Sequence, residues 1–244
     1  MAGVRPSLEN PDLYFDVNVV GTSNILEEAR RTGVRPVVFG SSSSVYGVNE
    51  SVPFREEDPV EKPISPYAVS KRAGELLAYS HHRLYGTACA CLRFFTVYGP
   101  RQRPEMAIHR FATLIEEGRG VPVYGDGSAK RDFTFVSDIV DGVVAALDFA
   151  ARGGYRIFNL GESRTVELRE LITLLEAALG KRAVIDRRPD QAGDVPITFA
   201  DISRARAELG YCPRVPIEEG IRRFVEWFRA ERAARSGDMQ GGRG

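Results

Sequence analysis

The chain has 244 residues, 43% of them hydrophobic, enough for a sizeable core arranged as one large domain or two small ones. Its 33 lysines and arginines balance 33 aspartates and glutamates, so no global field draws it to nucleic acid or an anionic membrane. No apolar run approaches the ~20 residues that span a bilayer, and the N-terminus lacks the charged-then-apolar pattern of a secretory signal, so a cytoplasmic location is expected.

In chain order, apolar residues at helical spacing over 13–31 end at Gly33, and 36–39 reads as a short buried strand. A serine-rich turn and a polar loop follow. Ser65 then stands as an N-cap with Pro66 at the first helical position, predicting a helix over 66–85. Residues 88–94 form a second buried strand, in which Cys89 and Cys91 alternate as core thiols. Beyond Gly99 the pattern predicts helices at 107–117, after Ser137, at 167–179 and at 217–232, and strands at 121–124, 157–160 and 183–186. Residues 236–244 read as a disordered tail. Alternating helices and strands predict an α/β fold with a parallel sheet. His81, His82 and His109 lack ligand-like spacing, and no metal site is expected.

The chemistry centres on Tyr67-Ala68-Val69-Ser70-Lys71, where Tyr67 and Lys71 are four apart and so share a helical face. A phenol with an unperturbed pKa of ~10 is a poor base at neutral pH, but a nearby ammonium and a helix N-terminus both favour its phenolate. Upstream, Ser41-Ser42-Ser43-Ser44 directly follows a strand, where hydroxyls can face the crevice at the sheet's carboxyl end.

Together these motifs resemble the extended short-chain dehydrogenase/reductase family, and specifically its nucleotide-sugar epimerases. The likeness extends to Ala2-Gly3-Val4-Arg5-Pro6-Ser7, Asn18-Val19-Val20-Gly21-Thr22, Leu92-Arg93-Phe94-Phe95-Thr96-Val97-Tyr98-Gly99-Pro100-Arg101, Gly125-Asp126-Gly127 with Arg131-Asp132-Phe133, and Gly193-Asp194-Val195-Pro196. It implies a catalytic trio of Ser42, Tyr67 and Lys71, with NAD held by Asn18, Tyr67, Lys71 and Phe95. It implies a UDP-sugar substrate contacted by Ser43, Ser44, Thr96, Arg103, Val123, Tyr124, Arg131, Gln191 and Asp194. It also implies a dinucleotide-binding part over 1–100, a mainly substrate-binding part over 101–235 with segments returning to the first, and a homodimer built on helices 13–31 and 66–85.

The family's glycine-rich phosphate-binding turn is absent from this chain. Its opening resembles the stretch after the family's fourth strand, so ~60 residues, about two βαβ units, would precede it. The chain alone is expected to bind NAD weakly or not at all and to be inactive. Dehydratases of the family carry Asp-Glu where this chain has Ser43 and Ser44, and the sugar-acid decarboxylases carry a glutamate there, which favours 4-epimerisation through a 4-keto sugar. Thr96 and Arg103 resemble the 4-epimerases of UDP-glucuronate, although Arg101-Gln102 departs from their usual Trp-Gly. UDP-glucose/galactose stays open as the substrate pair. A reductase or dehydratase on the same scaffold, or a non-catalytic remnant that binds a nucleotide sugar or a partner, are the alternatives.

Overall fold

The computed structural model describes residues 1–189 and 195–241, with side chains described through Arg235 in the last helix. The elements run α1 (Val4–Glu9), α2 (Pro11–Phe15), a π-helical turn (Asp16–Val20), α3 (Gly21–Thr32), β1 (Val37–Ser42), a 3-10 turn (Ser43–Tyr46) and α4 (Pro66–Tyr85). They continue as β2 (Cys89–Phe94), β3 (Thr96–Tyr98), α5 (Ala107–Glu116), β4 (Gly120–Tyr124), β5 (Lys130–Phe135), α6 (Val136–Ala151) and β6 (Tyr155–Leu160). The last are β7 (Thr165–Glu167), α7 (Leu168–Leu179), β8 (Val184–Arg188), α8 (Ser203–Leu209) and α9 (Ile217–Gly241).

The fold is α/β. Among the described residues, β1, β2 and β6 form a parallel sheet, β3 and β5 pair in parallel with β7 antiparallel to β5, and β4 pairs with β8. The centre of the first sheet is β2, whose apolar residues are buried on both faces, as a central parallel strand requires. Alternation along it sends Cys89 and Cys91 toward Leu26 and Ala78 of α3 and α4, while Ala90 and Leu92 face Ile139, Ala146 and Ala205 of α6 and α8. Both thiols are buried and free. The register sets Ser42 beside Phe94 and Phe94 beside Leu160, so the three carboxyl ends are level and open a crevice there. A second core, built on Tyr98, Phe111, Phe133, Leu175 and Phe224, joins α5, α7 and α9 to the smaller sheets.

Several elements depart from the sequence expectations, α1 and α8 among them as helices that were not expected. The helix expected over 13–31 is interrupted by the π turn, and Tyr14 before it and Asn18 within it are both buried. The first strand runs on to Ser42, so two serines belong to the sheet rather than to the turn. The short strands β3, β5 and β7 take segments assigned to no element, because few residues each give no readable period. Finally, α9 continues to Gly241, past the start of the expected disordered tail, its exposed turns supported by the Glu231–Arg235 pair. No helix among the described residues is long and apolar enough to cross a membrane.

Candidate active site

The carboxyl end of β1 and the first turns of α4 meet at one point. Ser42 ends the strand and caps the 3-10 turn, accepting the Ser44 N–H at 3.1 Å and donating to the Ser44 hydroxyl at 3.2 Å. On α4, the Ser65 hydroxyl accepts the Ala68 N–H at 3.1 Å and Pro66 occupies the first turn, so the expected capping holds. That cap sets Tyr67 at the helix N-terminus, with Ser42 close enough to its phenol to act on its pKa. Lys71 follows one turn later, its ammonium donating to the Gly40 carbonyl at 2.8 Å and lying 5.9 Å from the Tyr67 ring centre and 5.4 Å from that of Phe39.

The expected depression of the Tyr67 pKa by Lys71 does not appear. Burial dominates and holds the phenol above its ordinary value, opposed by the Ser42 hydrogen bond and the charge of Arg103. Burial likewise lowers Lys71. The ammonium is committed to a backbone carbonyl rather than to the phenol, and an ammonium has three N–H groups, so two stay available to a ligand.

Behind the tyrosine, Tyr14 packs edge-on at 6.1 Å and donates to the Ala2 carbonyl at 2.9 Å. Asn18 donates to Ser70 Oγ at 2.9 Å, and Ser70 donates to the Tyr67 carbonyl at 2.8 Å. Asn18 is therefore tied to the back of the tyrosine helix. The Phe95 ring is buried among Tyr46 and Phe54, and its backbone N–H donates to the Leu160 carbonyl at 3.2 Å. Tyr67 and Lys71, with hydroxyl, ammonium and spare donors at the crevice, fit the ribose and nicotinamide end of NAD.

A cavity of about 440 Å³ lies beside this centre. Arg5, Arg103, Arg110 and Arg131 line it with Pro122 and Tyr124. Ser42, Tyr67 and Lys71 are not on its wall; Arg103 connects the two, lining the cavity while its charge reaches the phenol. Four guanidiniums around an apolar-floored hollow suit a multiply charged anion. Strand alternation turns Val123 into the second core and presents Pro122 and Tyr124 to the cavity. Arg131 lines the cavity. Ser43 and Ser44 stand in the turn after β1, and Thr96 opens β3 beside Phe133, half-buried. Gln191 and Asp194 lie outside the described residues.

Three buried or lining groups are absent from the sequence expectations. Arg5 sits in a quoted motif and Arg110 one turn after Ala107 on α5, but a lone arginine reads as a surface charge. Glu75 extends the Tyr67, Lys71 face by one further turn, and that spacing was the available signal. It pairs with Arg93 at 2.9 Å and accepts from Ser41, the neighbour of Ser42, at 2.7 Å. Among the described residues no group of three or more His, Cys, Asp or Glu is arranged to hold a metal ion.

Known proteins carry the same pattern. Residues 1–161 match the model of the NAD dependent epimerase/dehydratase family. An uncharacterized protein of Methanocaldococcus jannaschii is 51% identical over 229 residues, covering 93% of this chain and 69% of that one. A UDP-glucuronate 4-epimerase of Thermodesulfobacterium geofontis is 44% identical over 227 residues, with the same 93% and 69% coverage. Among solved structures, the UDP-glucuronic acid 4-epimerase of Bacillus cereus in complex with UDP-glucuronic acid and NAD superposes with a TM-score of 0.86 at 33% identity, covering 94% of this chain and 73% of that one. The family model covers about two thirds of the chain and the relatives match across 93% of it, so the chain belongs to the NAD-dependent epimerase/dehydratase family.

Proposed function

We propose that this chain carries the substrate cavity and acid–base centre of a UDP-sugar 4-epimerase, with UDP-glucuronate as the favoured sugar nucleotide. One observation carries the reading: the Tyr67 phenol feels both Ser42 and Arg103, Lys71 Nζ lies 5.9 Å from its ring centre, and Arg103 also lines an arginine-rich cavity.

Tyr67 takes the proton of the sugar 4-hydroxyl and later returns it, while Ser42 hydrogen-bonds the reacting oxygen. The Arg103 charge and the helix N-terminus favour the phenolate against burial, so more of Tyr67 is ionised and ready to accept a proton than burial alone would allow. Lys71 turns its spare N–H groups to the ribose of the cofactor. NAD, when bound, supplies the hydride acceptor and donor for C4. Arg131 and Arg110 take the diphosphate, Tyr124 the base, and Arg103 with Thr96, Ser43 and Ser44 the sugar carboxylate.

Dehydration needs a further free carboxyl group at the centre, and the buried Glu75 and half-buried Glu56 are both engaged. Glu75 is held by Arg93, and Glu56 accepts the Asn159 N–H at 2.8 Å. That supports epimerisation. Exposed Ile25 on α3 and Leu76, Tyr79 and Leu84 on α4 support a homodimer through these helices.

Calorimetry tests the reading. UDP-glucuronate is expected to bind more tightly than UDP-glucose, and both more tightly than the free sugars; equal, undetectable binding of the nucleotides would remove the assignment. With NAD and any form of the protein that turns over, the C4 epimer should accumulate without net NADH.

A further inference from the structure

The loop 99–106 carries Arg103 between β3 and α5, and most of its backbone hydrogen bonds are local turns. Gln102 is the exception. Its side-chain amide donates to the Val97 carbonyl on β3 at 3.1 Å, and its side-chain oxygen accepts the His109 N–H on α5 at 3.2 Å. Its backbone N–H donates to Gly99 at 3.1 Å, and its carbonyl accepts from His109 Nδ1 at 2.7 Å. All four polar groups of this one residue are used, and they tie the strand end, the loop and the next helix together.

His109 is itself fixed. A carbonyl only accepts, so the imidazole carries its proton on Nδ1. Its ring stands edge-on to Phe224, Trp227 and Phe228 of α9 at 5.6 to 5.8 Å. The loop is thus pinned to the second core through a packed ring, while Arg101 beside it is held at a φ of 65°, a conformation that a non-glycine residue keeps only when its surroundings enforce it.

Arg103 has no comparable anchor of its own. It is exposed, donating to the Ala2 carbonyl at 3.1 Å and pairing with Glu105 at 2.9 Å at the cavity rim. Such a pair in solvent holds a side chain weakly. We propose that Gln102 is a positioning residue that fixes the loop in the shape that aims Arg103 into the cavity, and thereby sets the preference for an anionic over a neutral sugar nucleotide. This rests on the reading of Arg103 as the carboxylate contact.

The test is calorimetric, with UDP, UDP-glucose and UDP-glucuronate titrated into the unmodified chain, Gln102→Ala, Arg103→Ala and the double variant. Gln102→Ala is expected to lower the UDP-glucuronate to UDP-glucose affinity ratio about tenfold, the size of one lost charge-assisted bond, while leaving UDP binding unchanged. Arg103→Ala should lower the same ratio, and the double variant should lower it no further, since both act through one contact. A Gln102→Ala variant that weakens both sugars equally, or whose loss adds in full to that of Arg103→Ala, overturns the inference. An unmodified chain without the preference, or an Arg103→Ala variant that keeps it, instead removes the carboxylate reading and the inference with it. His109→Leu serves as the second variant: it deletes the Nδ1 bond but fills the aromatic slot, and a smaller fall in the same ratio is expected, with no fall counting against the clamp.

Discussion

Arg93 and Glu75 face each other through two N–H···O bonds of 2.9 Å, with side chains 1% and 0% exposed. Burial alone would push the Glu75 carboxyl up, but the Arg93, Ser41 and Arg72 hydrogen bonds overcome it and leave it below the ordinary carboxylate range. The guanidinium also lies 4.8 Å from the Tyr46 ring centre, and Tyr46 donates to Asn159 at 2.7 Å. One satisfied network therefore joins α4 to β1, β2 and β6 directly beneath the candidate active site.

Removing one partner strands the other's charge in the core. Arg93→Met or Glu75→Leu is expected to cost about 3–5 kcal/mol in urea denaturation, and the double change to a matched apolar pair clearly less than the sum. A single variant as mild as a surface substitution would show that the network is solvated.

Gly74 lies on the same helix, facing the sheet. A Cβ there would come within 2.8 Å of Phe39 Cε2, and the Phe39 ring already supports the Lys71 ammonium. Helix propensity alone favours alanine by about 1 kcal/mol. Overpacking against a strand is expected to win, so Gly74→Ala should lose roughly 1–3 kcal/mol of stability. A thermal melt in which the variant is the more stable protein contradicts this packing.

The proposed trio was legible because its signals are local. The Ser65-Pro66 cap, the four-residue spacing of Tyr67 and Lys71, and the strand-then-serines order each depend on neighbours in sequence, and each appears in the fold. Long-range features were not legible. Glu75 meets Arg93 through tertiary packing, Val123 and Pro122 exchange roles according to which face of β4 the core takes, and the Phe95 ring is claimed by Tyr46 and Phe54 from distant loops. The short strand β5 is recruited by its partners β3 and β7, and its own six residues carry no clear period.

The Tyr67 phenol gives a direct readout of the site. Since burial raises its pKa while Ser42 and Arg103 lower it, both Ser42→Ala and Arg103→Ala are expected to move its titration to still higher pH. Carbon-13 NMR of ring-labelled tyrosine, assigned with Tyr67→Phe, reads this without requiring turnover. A shift downward in either variant would mean that the residue removed does not act on the phenol.

Glu162 has a buried Oε2 without a hydrogen-bond partner among the described atoms. Burial, followed by the charges of Asp138 and Asp132, pushes its carboxyl up to about 7. An unfolded glutamate titrates near ~4.3, so between these values the folded state binds more protons than the unfolded one. The stability this group contributes is full below about pH 4 and is lost as pH rises through about 7. Asp132, raised by burial to about 6 although it accepts three backbone N–H groups, adds a slope of the same sign at lower pH. Glutamine cannot ionise, so in Glu162→Gln the upper part of the decline should flatten while the Asp132 part persists. Urea midpoints from pH 4 to 8 measure the difference, and parallel curves for the two proteins would mean that Glu162 is ionised and solvated throughout.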